Sequence, residues 1–72
     1  MSTTVESKTV KVRILEKDMQ IGCNAGDEDD LAKAALYVDR SMREFRSRNN
    51  QSSAEKIAIV TAINIALSLI HI

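Results

Sequence analysis

From Lys56 to Ile72 the chain reads KIAIVTAINIALSLIHI, and after Lys56 this run carries no formal charge, no Gly and no Pro. Its polar residues Thr61, Asn64, Ser68 and His71 recur at steps of three, four and three. At about 100° per residue that spacing puts them on one stripe of a helix. Ile59, Ala62, Ile63, Ala66, Leu69 and Ile70 lie opposite, and Ala58, Val60, Ile65, Leu67 and Ile72 widen the flanks. A helix apolar most of the way round needs cover on more than one side. The rest of the chain offers little to supply it, so the run reads as the seam of an assembly. Its residues Ile59, Ile63, Asn64, Ala66, Leu67 and Ile70 are the expected oligomer interface. Asn64 is included because a buried amide in a helical seam sets register.

The size of the chain sharpens that expectation. Its 72 residues make one domain, and domains of this size bury only roughly 60 % of their unfolded surface. Small scaffolds of this kind lean on disulfides, metals or partner chains. Cys23 is the only cysteine and His71 the only histidine, so neither an internal disulfide nor a four-ligand zinc site can form from cysteine and histidine. Self-association remains. Ten basic and ten acidic residues cancel, which argues for neither nucleic acid nor an anionic membrane as the bulk partner. The N-terminus lacks the apolar core of a secretory signal, and a lone thiol suits a reducing compartment, so a cytoplasmic location is expected.

Residues 1–8 are polar and without period, and read as a flexible tail; residues 9–72 read as a single head. Val10, Val12 and Ile14 alternate with Lys11 and Arg13, and Met19, Ile21 and Cys23 repeat the alternation after a charged turn spanning Leu15, Glu16, Lys17 and Asp18. Two such runs predict a β-hairpin. Asn24, Ala25 and Gly26 supply a turn, and Asp27, Glu28, Asp29 and Asp30 favour the positive end of a following helix. Leu31, Ala35, Val38, Met42 and Phe45 then form one apolar stripe. Arg40, Arg43, Arg46 and Arg48 suit the negative end of that helix, which Asn49 and Asn50 stop. Ser52 and Glu55 are spaced as a capping box for the final helix. The sequence finishes on Ile72 with no C-cap signal, so that helix is expected to continue into a coiled coil. The expected fold is α+β: a hairpin followed by two helices, the second apolar and dimerising.

Candidate chemistry is sparse. Consecutive carboxylates opening a helix do not converge on a calcium ion as alternating loop ligands do. Cys23 continues the apolar alternation of its strand and reads as a small buried hydrophobe, with a thiol nucleophile as the alternative. No cofactor, metal site or enzymatic activity is expected. The arginine-rich RSMREFRSR, Arg40 to Arg48, leaves open dipole compensation, an acidic protein partner, or a small nucleic-acid-binding module. The sixteen residues of Ile57–Ile72 would reach ~24 Å as a helix, short of the ~30 Å hydrocarbon layer.

Taken with their order and spacing, three stretches carry a resemblance: the hairpin entering the acidic turn through Cys23, YVDRSMREFRS from Tyr37 to Ser47, and SAEKIAIVTAINIA from Ser53 to Ala66. From about Val10 onward the chain resembles the ZapA family of bacterial cell-division proteins, and its AINIA segment, Ala62 to Ala66, is similar to the family's ALNIA-like core. The resemblance implies a non-enzymatic partner of the tubulin-like protein FtsZ. It implies homodimers built on a small head and homotetramers joined through a coiled coil, which bundle FtsZ filaments in the ring at mid-cell. Filament contact in the family is attributed to basic residues on the head. Lys17 matches, Gln20 and Asn50 are uncharged, and Arg13 and Arg48 complete the expected contact set.

Overall fold

The computed structural model describes residues 7–70; the expected tail up to Glu6, and His71 and Ile72, lie outside them. In chain order the elements are β1 (Ser7–Ile14), β2 (Lys17–Asn24), α1 (Glu28–Arg48) and α2 (Ala54–Ile70). This is the expected α+β hairpin followed by two helices. β1 opens at Ser7, so Ser7 and Lys8, within the stretch read as tail, pair with Asn24 and Cys23.

The antiparallel register sets Val10 against Ile21 and Val12 against Met19, which puts both apolar alternations on one face. α1 covers that face mainly beneath β1, and Val12 is buried there with Ala35. The turn is tighter than the charged four-residue segment Leu15–Asp18 suggested. Only Leu15 and Glu16 connect the strands, with φ of 49° and 64°, the two left-handed positions of a type I′ hairpin turn. Lys17 is therefore not a turn residue: it opens β2 opposite Ile14.

Asn or Gly normally fills such positions, because a side chain there costs a residue about 1–2 kcal/mol. Here tertiary contacts offset the strain. Leu15 is buried in a cluster with Met42 and Ile57, flanked by Ile14, Val38 and Phe45. Its N–H donates to Asp39 Oδ1 at 2.8 Å.

Ahead of α1, Asp27 N–H donates to Asn24 O at 3.0 Å, and Gly26, with φ of 98°, takes the left-handed position of that turn. The acidic start works through Glu28: Asp27 makes no side-chain cap, whereas the Glu28 carboxylate accepts from Gly26 N–H at 2.7 Å. Bonds from its own and the Gly26 N–H hold the Glu28 carboxyl below the usual range. Asn49 ends α1 as expected, its N–H reaching Phe45 O and Arg46 O. The α2 cap differs by one residue from the expected box. Ser53 Oγ accepts from Lys56 N–H at 3.1 Å and Ser53 O from Ile57 N–H at 3.0 Å. The third helical position is thus Lys56, and the Ser52–Glu55 pair does not form the cap.

Candidate interaction surface

α2 meets α1 with its narrow polar stripe. Ile57 and Thr61 are buried on that side, 1 % and 3 % exposed, and Asn64 and Ser68 continue the stripe into a small cleft of about 140 Å³ against Tyr37, Ser41, Glu44 and Arg48. Directing the polar stripe toward α1, with Thr61 buried and Asn64 and Ser68 exposed at the cleft, leaves the wide apolar arc outside. Ile59, Ile63, Leu67 and Ile70 are 55 %, 59 %, 48 % and 76 % exposed, and Leu69 is 68 % exposed. Ala66 stands beside them in an open groove with Val38, Met42, Ala62 and Leu69. Through Val38, Met42 and Ala58 that groove runs on to Ile14 and Met19 of the hairpin. Asn64 is separate: it lines the polar cleft, not the apolar arc.

Thr61 has a further peculiarity. Its hydroxyl is the buried side-chain polar atom that lacks a hydrogen-bond partner among the described residues. Buried orphan hydroxyls are uncommon and costly.

The basic residues do not form one patch. Arg13 lies on the hairpin's other face, loosely paired with Asp18 at 3.9 Å, both well exposed. Lys17 borders the apolar groove, and Arg48 lines the polar cleft. Two of the four arginines in RSMREFRSR are committed to the fold. Arg46 forks onto Glu16 at 2.9 and 3.3 Å, and Arg43 bridges Glu16 at 3.2 Å and Asp39 at 2.9 Å. The Arg46 bond, with the charges of Arg46 and Arg43, holds the Glu16 carboxyl below its ordinary range. Asp39 is likewise lowered, first by the Leu15 N–H and then by Arg43. These arginines clamp the strained turn from outside, which weakens the reading of the segment as a phosphate-binding helix. Sequence reasoning missed this clamp. Its one visible sign was an Asp inside an otherwise apolar helical stripe.

Cys23 is half-buried, and burial, with the carboxylates of Glu28 and Asp27, pushes its thiol pKa up. That is the direction opposite to an activated nucleophile. Among the described residues no group of carboxylates, cysteines or histidines is arranged to hold a metal. Also among them, no helix is long and apolar enough to cross a membrane.

Fold and surface define a class: a small α+β head whose dominant feature is an uncovered apolar helix. Residues 10–72 match the family model described as "Cell division protein ZapA". The chain is 38 % identical over 66 residues to the Cell division protein ZapA of Pseudomonas aeruginosa, covering 92 % of this chain and 64 % of that protein. It is 41 % identical over 66 residues to the ZapA of Geobacillus thermodenitrificans, covering 88 % and 69 %. Against a solved structure titled "Unknown conserved bacterial protein from Pseudomonas aeruginosa PAO1" the TM-score is 0.80 at 38 % identity, with 88 % of this chain and 69 % of that one covered. The chain belongs to the ZapA family of cell-division proteins. It spans just under two thirds of the length of the Pseudomonas relative.

Proposed function

We propose that this protein binds FtsZ filaments in the cytoplasm at the mid-cell division site and bundles them as a non-enzymatic, self-associating cross-linker. The observation that carries this reading is the outward apolar arc of α2, where Ile59, Ile63, Leu67 and Ile70 stand about half or more exposed. One head cannot cover them. A second copy laid along α2 removes that surface from water at roughly 25 cal/mol per Å². Dimerisation through Ile59, Ile63, Ala66, Leu67 and Ile70 then presents two heads, with Asn64 at the margin of the seam. Continuation of α2 into a coiled coil would join dimers into tetramers. Two weak filament contacts on one rigid body gain avidity over either alone, and Lys17, Arg13 and Arg48 supply cationic contacts on separate walls of the head.

Ile63→Asp tests the seam, because an unpaired charge buried there costs several kcal/mol. Sedimentation is expected to show monomers and co-pelleting with polymerised FtsZ to lose its bundles. A combined Lys17→Glu, Arg13→Glu and Arg48→Glu variant is expected to stay associated yet lose pelleting. An Ile63→Asp protein that sediments and bundles like the parent would overturn the reading.

A further inference from the structure

The hairpin is a two-stranded sheet, so among the described residues β1 keeps one edge without a strand beside it. With a two-residue turn, Ile14 and Lys17 are the hydrogen-bonded pair next to the turn. The pairs Val12 with Met19 and Val10 with Ile21 follow in the same phase. Thr9, Lys11 and Arg13 therefore aim their N–H and C=O groups away from β2. Among the described residues no backbone bond from another element takes these groups up.

This edge has a floor. α1 packs beneath β1 and presents Ala32 and Leu36 beyond it. Lys11, Val12 and Arg13 on the strand, with Ala32, Ala35 and Leu36 on the helix, line an open groove of about 280 Å³. Leu36 is 51 % exposed in it. A strand, a parallel-running gap and an apolar helix wall are the elements that peptide-binding domains use to add a third strand. The edge of β2 differs, for its Met19 belongs to the apolar groove beside α2.

Charge selects the occupant. Lys11 and Arg13 border the groove on the strand side, and Lys33 and Arg40 flank Leu36 at helical spacings of three and four. Among the described residues no carboxylate lies within ion-pair distance of Lys11, Lys33 or Arg40, and Arg13 has only Asp18 at 3.9 Å. A second copy of β1 would bring Lys11 and Arg13 against their equals, which disfavours edge pairing between like chains.

We propose that the free edge of β1 is a docking site for an extended acidic peptide segment. The segment pairs with Thr9, Lys11 and Arg13, rests an apolar side chain on Leu36, and faces its carboxylates toward the cationic rims. Arg13 is shared with the filament contact set proposed above, so the site is tested with a probe that contains no filament protein, and a failure of one reading can be told from a failure of the other.

The probe is a synthetic peptide of about seven residues alternating Asp or Glu with Val or Ile, long enough for one strand. Added to the isotopically labelled full chain, it is expected to shift the amide signals of Lys11, Arg13 and Leu36 and to slow exchange of the Lys11 and Arg13 amides. Lys11→Pro removes an outward N–H without breaking a β1–β2 bond, as proline is tolerated on sheet edges, and is expected to weaken binding about tenfold or more. Leu36→Glu changes an exposed residue and is expected to weaken it similarly. If Lys11→Pro disturbs the fold by circular dichroism, Leu36→Glu decides alone. Affinity unchanged in Leu36→Glu, shifts confined to α2, absence of binding at about 1 mM peptide, or β1 edges of two copies pairing with each other would each overturn the proposal.

Discussion

Replacing Asp39 by Ala asks whether the hairpin turn is held by the helix beneath it. Leu15 and Glu16 both occupy left-handed φ, so the isolated turn favours opening. Asp39 accepts the Leu15 N–H at 2.8 Å and Arg43 Nε at 2.9 Å. Truncation orphans a buried N–H and removes a charge-assisted bond, a loss of about 1.5–3 kcal/mol. Arg43 is 45 % exposed, and its ion pair adds at most about 1 kcal/mol. The total, about 1.5–4 kcal/mol, is a large part of the ~4–11 kcal/mol expected for 72 residues. With a urea dependence of about 1 kcal/mol per molar, the midpoint should fall by roughly 1.5 M or more. Asp39→Asn retains an acceptor but not the charge, and should lose about half as much. Both are read by circular dichroism during urea titration at one fixed chain concentration, because association raises apparent stability. An Ala variant unfolding within about 0.5 M of the parent would refute the account of the turn.

The same carboxylates set an acid response. Asp39 and Glu16 are both held below their ordinary range, so their contribution is complete above the unfolded value near pH 4 and is lost as pH falls through the lower folded values. The urea midpoint should drop progressively below about pH 5, and less steeply in Asp39→Asn; parallel profiles would contradict this. Thr61→Val removes a buried hydroxyl without a partner and should stabilise by about 1 kcal/mol, whereas a lowered midpoint would mean that the hydroxyl is bonded in the assembled protein. Ser53→Ala should cost about 1 kcal/mol and Ser52→Ala within about 0.5 kcal/mol of nothing, and thermal melts showing the reverse would return the cap to Ser52.

The periodicities of the chain determined its elements. Alternation at Val10, Val12 and Ile14 and again at Met19, Ile21 and Cys23 prescribes a hairpin, and the stripe from Leu31 to Phe45 prescribes α1. The uncharged run after Lys56 prescribes an apolar helix. These follow from local geometry, in which neighbours two, three or four residues apart share a face.

What the tertiary structure alone decided is how those elements meet. The flanking alternation placed a turn near Leu15–Glu16, but these residues offer none of the Gly or Asn that a left-handed turn favours, because their backbone is held by Asp39, 24 residues from Leu15, and by Arg46, 30 residues from Glu16. The cationic residues look alike in sequence, yet Arg43 and Arg46 are tied to Glu16 and Asp39 while Arg13, Lys17 and Arg48 lie on different walls. The pattern of α2 likewise could not choose its inner side. With apolar residues on most of its circumference, either the arc or the stripe could meet α1. Seating Ile57 against Leu15 and Met42 buried Thr61, set Asn64 and Ser68 along the exposed cleft beside α1, and left the apolar arc for another surface to cover.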